Sequence, residues 1–170
     1  MQGNLGYSIQ FKQPVLSVIS NRLGNTVILS LCSMILSILI AIPCGVISAT
    51  KQFTKTDYIV TIFAFMGLSI PSFFFGMLLI KVFSVDLGWL PISGMVTTGV
   101  NLTGWSYAFD VAKHMLLPMT VLALMNTASL MRYTRSDMIE ILKTDYIRTA
   151  RSKGVRRRSI IYQHALKNEL

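Results

Sequence analysis

LGNTVILSLCSMILSILIAIPCGVISAT, residues 23–50, contains no Asp, Glu, Lys or Arg. About 20 helical residues at 1.5 Å each cross the roughly 30 Å of bilayer hydrocarbon, so this run is long enough to span a membrane. A second run, YIVTIFAFMGLSIPSFFFGMLLI at 58–80, is equally uncharged between Asp57 and Lys81. A third, 114–131, lies between Lys113 and Arg132, near the short end of the spanning range of about 17–25 residues. In hydrocarbon each backbone N–H and C=O must be paired within the protein, so all three runs are expected to be helices. Composition agrees: 14% of residues are charged, against about 25% in a soluble domain. The expected fold is an all-α integral membrane protein with transmembrane helices at 26–50, 58–80 and 114–131.

The placement of Lys and Arg predicts the orientation. The link 51–57 carries Lys51 and Lys55, and the tail 132–170 carries Arg132, Arg135, Lys143, Arg148, Arg151, Lys153, Arg156, Arg157, Arg158 and Lys167. Three crossings put both regions on one side, and the positive-inside tendency makes that side cytoplasmic. The segment 1–25 and the connection 81–113, where Lys81, Asp86, Asp110 and Lys113 balance, are then external. Met1 to Ser20 has neither the basic start nor the apolar core of a secretory signal.

Several functions are excluded. No acid, Lys or Arg lies within the spans, which argues against a proton relay or voltage sensor. There is no GxxxxGK[ST] loop, so the chain is not expected to bind or hydrolyse ATP. No nucleophile and base arrangement points to catalysis. Energy for uphill transport would have to come from another subunit. The net charge of +9 and pI near 9.9 suit nucleic acid, but topology accounts for the excess and no base-stacking aromatic pattern accompanies it; membrane lipid is the expected partner for the clustered charge.

Interruptions in the runs carry more information than their apolar filler. Ile42-Pro-Cys-Gly45 breaks the first and Gly67-Leu-Ser-Ile-Pro-Ser-Phe-Phe-Phe-Gly76 the second. A proline frees a backbone carbonyl, and such breaks line pathways in transporters; Ser69, Pro71 and Ser72 are therefore pathway candidates, the alternative being an ordinary packing kink. Cys32 and Cys44 are twelve residues apart on one helix, about 18 Å and beyond disulfide reach, and read as packing residues. Gly88 to Gly94 reads as a turn, with Trp89 and Trp105 as interfacial anchors.

The tail reads as short helices around a sharp turn. Helix formers run from Arg132 to Leu142, Thr144 or Asp145 is placed to cap a helix through about Ser152, and Gly154 is placed to close it. After Val155-Arg-Arg-Arg158, Ile160, Ile161, Ala165 and Leu166 recur at helical spacing. Basic helices beside a membrane suit recruitment of a soluble protein, so a non-transporting scaffold and a passive channel are alternatives to a transporter.

The residues Asp145-Tyr-Ile-Arg-Thr-Ala-Arg-Ser-Lys-Gly154 and His164-Ala-Leu-Lys-Asn168 resemble the cytoplasmic EAA loop of permease subunits of binding-protein-dependent ABC transporters, in their dipeptide, oligopeptide and nickel branch. The general Glu-Ala-Ala pattern with Gly four residues on is represented by Arg148, Thr149, Ala150 and Gly154, whose first two positions depart from it but suit the branch. Leu5 to Ser8, Pro14-Val15, Arg22, Thr26, Gly67 to Phe73 and Gly88 to Gly94 also look like phrases of that family.

The resemblance implies a further span ahead of Met1 and about two beyond Leu170. It also implies a second permease subunit, two ATP-binding subunits that consume the ATP, and an external solute-binding protein. It implies a coupling role for Asp145, Tyr146, Arg148, Thr149, Ala150, Arg151, Lys153 and Gly154, with Ala150 kept small to fit a cleft on the ATPase. The inner or plasma membrane and peptide or nickel as solute are implied in the same way.

Overall fold

The computed structural model describes residues 5–156 and 159–161. Among the described residues a two-residue antiparallel pair, β1 (Tyr7–Ser8) with β2 (Gln13–Pro14), precedes five α-helices: α1 (Val15–Thr50), α2 (Lys55–Ser69), α3 (Ser72–Leu79), α4 (Trp105–Ile141) and α5 (Asp145–Ser152). A π-helical segment, Ile80–Asp86, continues α3. The expected helix beyond Ser159, Arg157, Arg158 and the stretch His164 to Asn168 lie outside the described residues apart from 159–161.

The first and third spans are longer than their uncharged runs. Helix α1 starts at Val15 rather than at 26, and α4 covers 105–141 rather than 114–131. Charge-free length marks only the part that fits in hydrocarbon. A helix goes on until its backbone bonding is interrupted, and a turn carrying Arg22 or Arg132 bonds its backbone as well as an apolar one. At 36 and 37 residues the two helices are about 54 and 56 Å long. Both run through an internal proline, Pro43 and Pro118.

The second span departs further from expectation. Helices α2 and α3 meet at 97° across Ile70 and Pro71, so 58–80 is a right-angled break rather than one kinked rod. Pro71 has no N–H for the carbonyl of Gly67, and its ring pushes Ile70 out of the helical region; both residues are extended, with ψ of 123° and 130°. The helix restarts when the Phe75 N–H reaches the Pro71 carbonyl at 3.0 Å.

Small residues set the main helix seam. Ser33, Ser37, Ala41, Gly45 and Ala49 recur every fourth position of α1, and all are buried; residues at that spacing share one face, and small ones let helix backbones approach closely. The opposing face of α4 presents Ala123, Thr127, Ala128, Met131, Thr134 and Met138, also buried. The Ser37 hydroxyl donates across the seam to the Ala123 carbonyl at 3.1 Å. Helix α2 joins through Ala64, which packs with Ala41, Ala128 and Met131, and Gly67 lies against Ala128 and Leu124. Leu31, Ile35, Leu39, Ile59, Phe63 and Phe73 remain exposed on the outside, where lipid rather than water suits them. Cys32 and Cys44 are unbridged and half-buried.

At the end of the bundle remote from α5, the connection before α4 is tied down by polar contacts. The Thr97 N–H and hydroxyl each donate to the Asp110 carboxylate at 2.7 Å, and His114 Nδ1 lies 2.9 Å from the Asp110 carbonyl.

Candidate functional site

Helix α5 is the first element of the site. Leu142 and Thr144 still bond back to Met138 and Ile141 of α4, after which the chain turns into Asp145–Ser152. The Thr144 hydroxyl donates backward to the Ile141 carbonyl at 2.6 Å. Asp145 lies in the first turn, where a carboxylate favours the positive end of the helix dipole. Gly154 closes the helix as expected, with φ of +77°, and the Val155 N–H reaches back to the Ala150 carbonyl at 3.2 Å. This six-to-one bond with glycine just ahead of its donor is a Schellman closure.

One face of α5 is sunk into the bundle. Ile147 is fully buried in a cluster with Val46 and Ala49 of α1, Met138 of α4 and Ile160, and Ala150 and Val155 pack against the same cluster. Ala150 is half-buried, packed against this chain's own helix ends, so a small side chain suits that packing whatever its free side meets. Asp145, Tyr146, Arg148, Thr149, Ser152, Lys153 and Gly154 are exposed. Arg148 and Asp145 form a loose exposed ion pair at 3.4 Å, and Thr149 returns its hydroxyl to the Asp145 carbonyl. Arg151 belongs to the same helix.

Beside this platform lies a polar cluster that reading by composition missed. Asp57, in the first turn of α2, is 4% exposed. Arg135 of α4 donates to it through two nitrogens, Nε to Oδ1 and Nη2 to Oδ2, both at 3.1 Å, the paired geometry in which arginine holds a carboxylate best. The buried Ser48 hydroxyl of α1 donates to the same carboxylate and accepts from Arg135 Nε at 2.9 Å. Asp57 also accepts the Phe53 N–H at 3.0 Å. Three helices and the link between two of them thus meet on one carboxylate. Arg135 had read as one more positive charge and Asp57 as the edge of a run. The available signal was an acid standing in a link otherwise marked by Lys51 and Lys55.

Ser69, Pro71 and Ser72 sit apart from α5. Twelve residues of α2 separate Asp57 from Ser69, about 18 Å. All three are exposed at the break. Ser69 returns its hydroxyl to the Phe65 carbonyl at 2.8 Å, satisfying itself within its own helix.

Residues 41–170 match the family described as binding-protein-dependent transport system inner membrane component. The chain is similar to the oligopeptide transport system permease protein AppB of Bacillus subtilis, 46% identical over 171 residues, covering all of this chain and 53% of that protein. It is 39% identical to a putative peptide permease protein of Brucella ovis and 37% identical to the glutathione transport system permease protein GsiC of Pectobacterium atrosepticum, in each case over 100% of this chain and 52% and 51% of the relative. The chain spans about half the length of the curated relatives it matches. With a family match over most of its length and apolar helices long enough to cross a bilayer, this multi-pass membrane chain belongs to the inner membrane components of binding-protein-dependent transport systems.

Proposed function

We propose that the chain forms part of a permease subunit of an ATP-driven peptide importer, with its α5 end in the cytoplasm. In this reading α5 is where ATP-hydrolysing subunits push. The carrying observation is the two-sidedness of α5: Ile147 is embedded in the ends of α1 and α4 and Ala150 packs half-buried beside it, while Tyr146, Arg148, Thr149 and Lys153 face outward. A force on the exposed face reaches the membrane helices through packed side chains rather than through a flexible tether. Peptide is favoured over nickel because the relatives carry oligopeptide, peptide and glutathione in their names. A second permease subunit, two ATP-binding subunits and an external binding protein complete the machine. ATP is consumed on the partners, not on this chain.

The reading is tested by an Arg148→Cys variant of the full-length permease, assembled with its partners. It should crosslink to the ATP-binding subunit in native membranes while ATP-dependent peptide uptake persists. Absence of that crosslink, with labelling of the same cysteine from the external face, would reject it.

Gly154 gives a sharper expectation. A Cβ at this position would meet nothing within 4 Å, so only the backbone conformation resists replacement, at roughly 1–2 kcal/mol for an ordinary residue. Asn tolerates the left-handed region and β-branched residues do not. Gly154→Asn should keep uptake within about twofold of wild type by this argument, and Gly154→Val should reduce it several-fold at equal membrane abundance, measured by peptide uptake.

The break at Pro71 is proposed to border the solute pathway, since its freed backbone groups need polar company that lipid does not supply. Cysteines at Ser69 and Ser72 should then react with membrane-impermeant thiol reagents in the assembled transporter and block uptake. Inert cysteines with normal uptake would leave the break as packing geometry.

A further inference from the structure

We propose that Arg135 is a positioning residue for transport, holding α2 to the α5-bearing ends of α1 and α4 so that a push on α5 reaches the break at Ser69–Pro71. This rests on the reading of α5 as the contact with the ATPase. Two kinds of contact divide the work. Helix α5 is joined to α1 and α4 by apolar packing through Ile147, Val46, Ala49 and Met138, and α2 contributes nothing to that cluster. What ties the start of α2 to the platform is Asp57, bonded to Arg135, which lies one turn before Met138, and to Ser48, which lies between Val46 and Ala49. The same carboxylate accepts the Phe53 N–H. Phe53 has φ of +60°, a strained value for a bulky residue, so the α1–α2 link is held in a conformation it would not choose by itself. Apolar side chains of similar size hold helices together as well as a buried ion pair does. A two-pronged guanidinium adds fixed orientation between α4 and α2, which grease does not.

The test uses Arg135→Lys in the full-length permease with its partners in proteoliposomes, which keeps the charge and loses the fork. Peptide uptake and binding-protein-stimulated ATP hydrolysis are measured on the same vesicles. Hydrolysis should stay within about twofold of wild type while uptake falls at least fivefold, lowering the solute moved per ATP. Ser48→Ala, which removes a bridging hydroxyl but no charge, should lower the same ratio by a smaller factor. The proposal is overturned if uptake and hydrolysis fall in parallel or neither variant accumulates, which makes the cluster a folding element only, or if neither activity changes, which makes the fork dispensable. Failure of the underlying reading looks different: Arg148→Cys in the otherwise unmodified permease would form no crosslink to the ATP-binding subunit, whatever Arg135→Lys does.

Discussion

Arg135→Ala should cost the assembled permease about 3 kcal/mol of stability, the lower end of the roughly 3–5 kcal/mol seen when one member of a buried pair is removed. The loss is large because Asp57, its side chain only 6% exposed, would lose its charged partner and two hydrogen bonds. It falls at the lower end because Arg135 is itself 32% exposed, so truncation opens a path for water to the orphaned carboxylate. Asp57→Ala should cost less, since a lone arginine at this edge can extend its head group toward water. The double variant should be less damaging than the sum of the singles, the signature of a direct interaction. Retention of the monodisperse complex on heating in detergent measures all three. Equal costs for the two single variants, adding without coupling, would show that the pair is not the unit inferred from its geometry.

Replacing Gly45 should be the other severe change. A Cβ there would lie 2.7 Å from both Cβ and Cγ2 of Thr134 and 3.0 Å from the Met131 carbonyl oxygen. None of these is the free end of a flexible side chain, so α1 and α4 themselves must separate. Overpacking costs typically 1–3 kcal/mol, and Gly45→Ala should reach about 3 kcal/mol by this argument, with Gly45→Leu worse. Gly24 is the matched control on the same helix, because a Cβ there meets nothing within 4 Å. Gly24→Ala should be neutral or stabilising by up to about 1 kcal/mol, since glycine within a helix is the weaker former. Thr134→Ser should relieve Gly45→Ala only in part, removing Cγ2 while Cβ and the carbonyl stay. The same thermal assay in detergent reads these variants, and similar loss at Gly24 and Gly45 would contradict the close crossing.

Much of the fold was legible because it depends on local chemistry. Runs without charge marked where hydrocarbon fits, the basic tail marked a short helix, and Gly154 marked its end, since each feature is written within a few consecutive residues. The helix ends were not legible from charge, because a charged turn is as helical as an apolar one. Of the site, the short helix from Asp145 and its Gly154 end were readable and the packing of Ala150 beside Ile147 was not, since small size suits a partner's cleft and a neighbouring helix equally well. The four-residue recurrence of Ser33, Ser37, Ala41, Gly45 and Ala49 was present in the sequence and passed as apolar filler.

By itself, the order of residues determined that this protein is helical and membrane-bound and that it carries a glycine-closed basic helix after its third apolar run. The tertiary structure decided that Asp57 answers Arg135 across 78 positions, that Gly45 lies against Thr134, and that the second apolar run turns through 97°. Hydropathy and capping act over one or two turns of chain, whereas these contacts depend on which faces meet once several helices have packed, and no local pattern specifies that meeting.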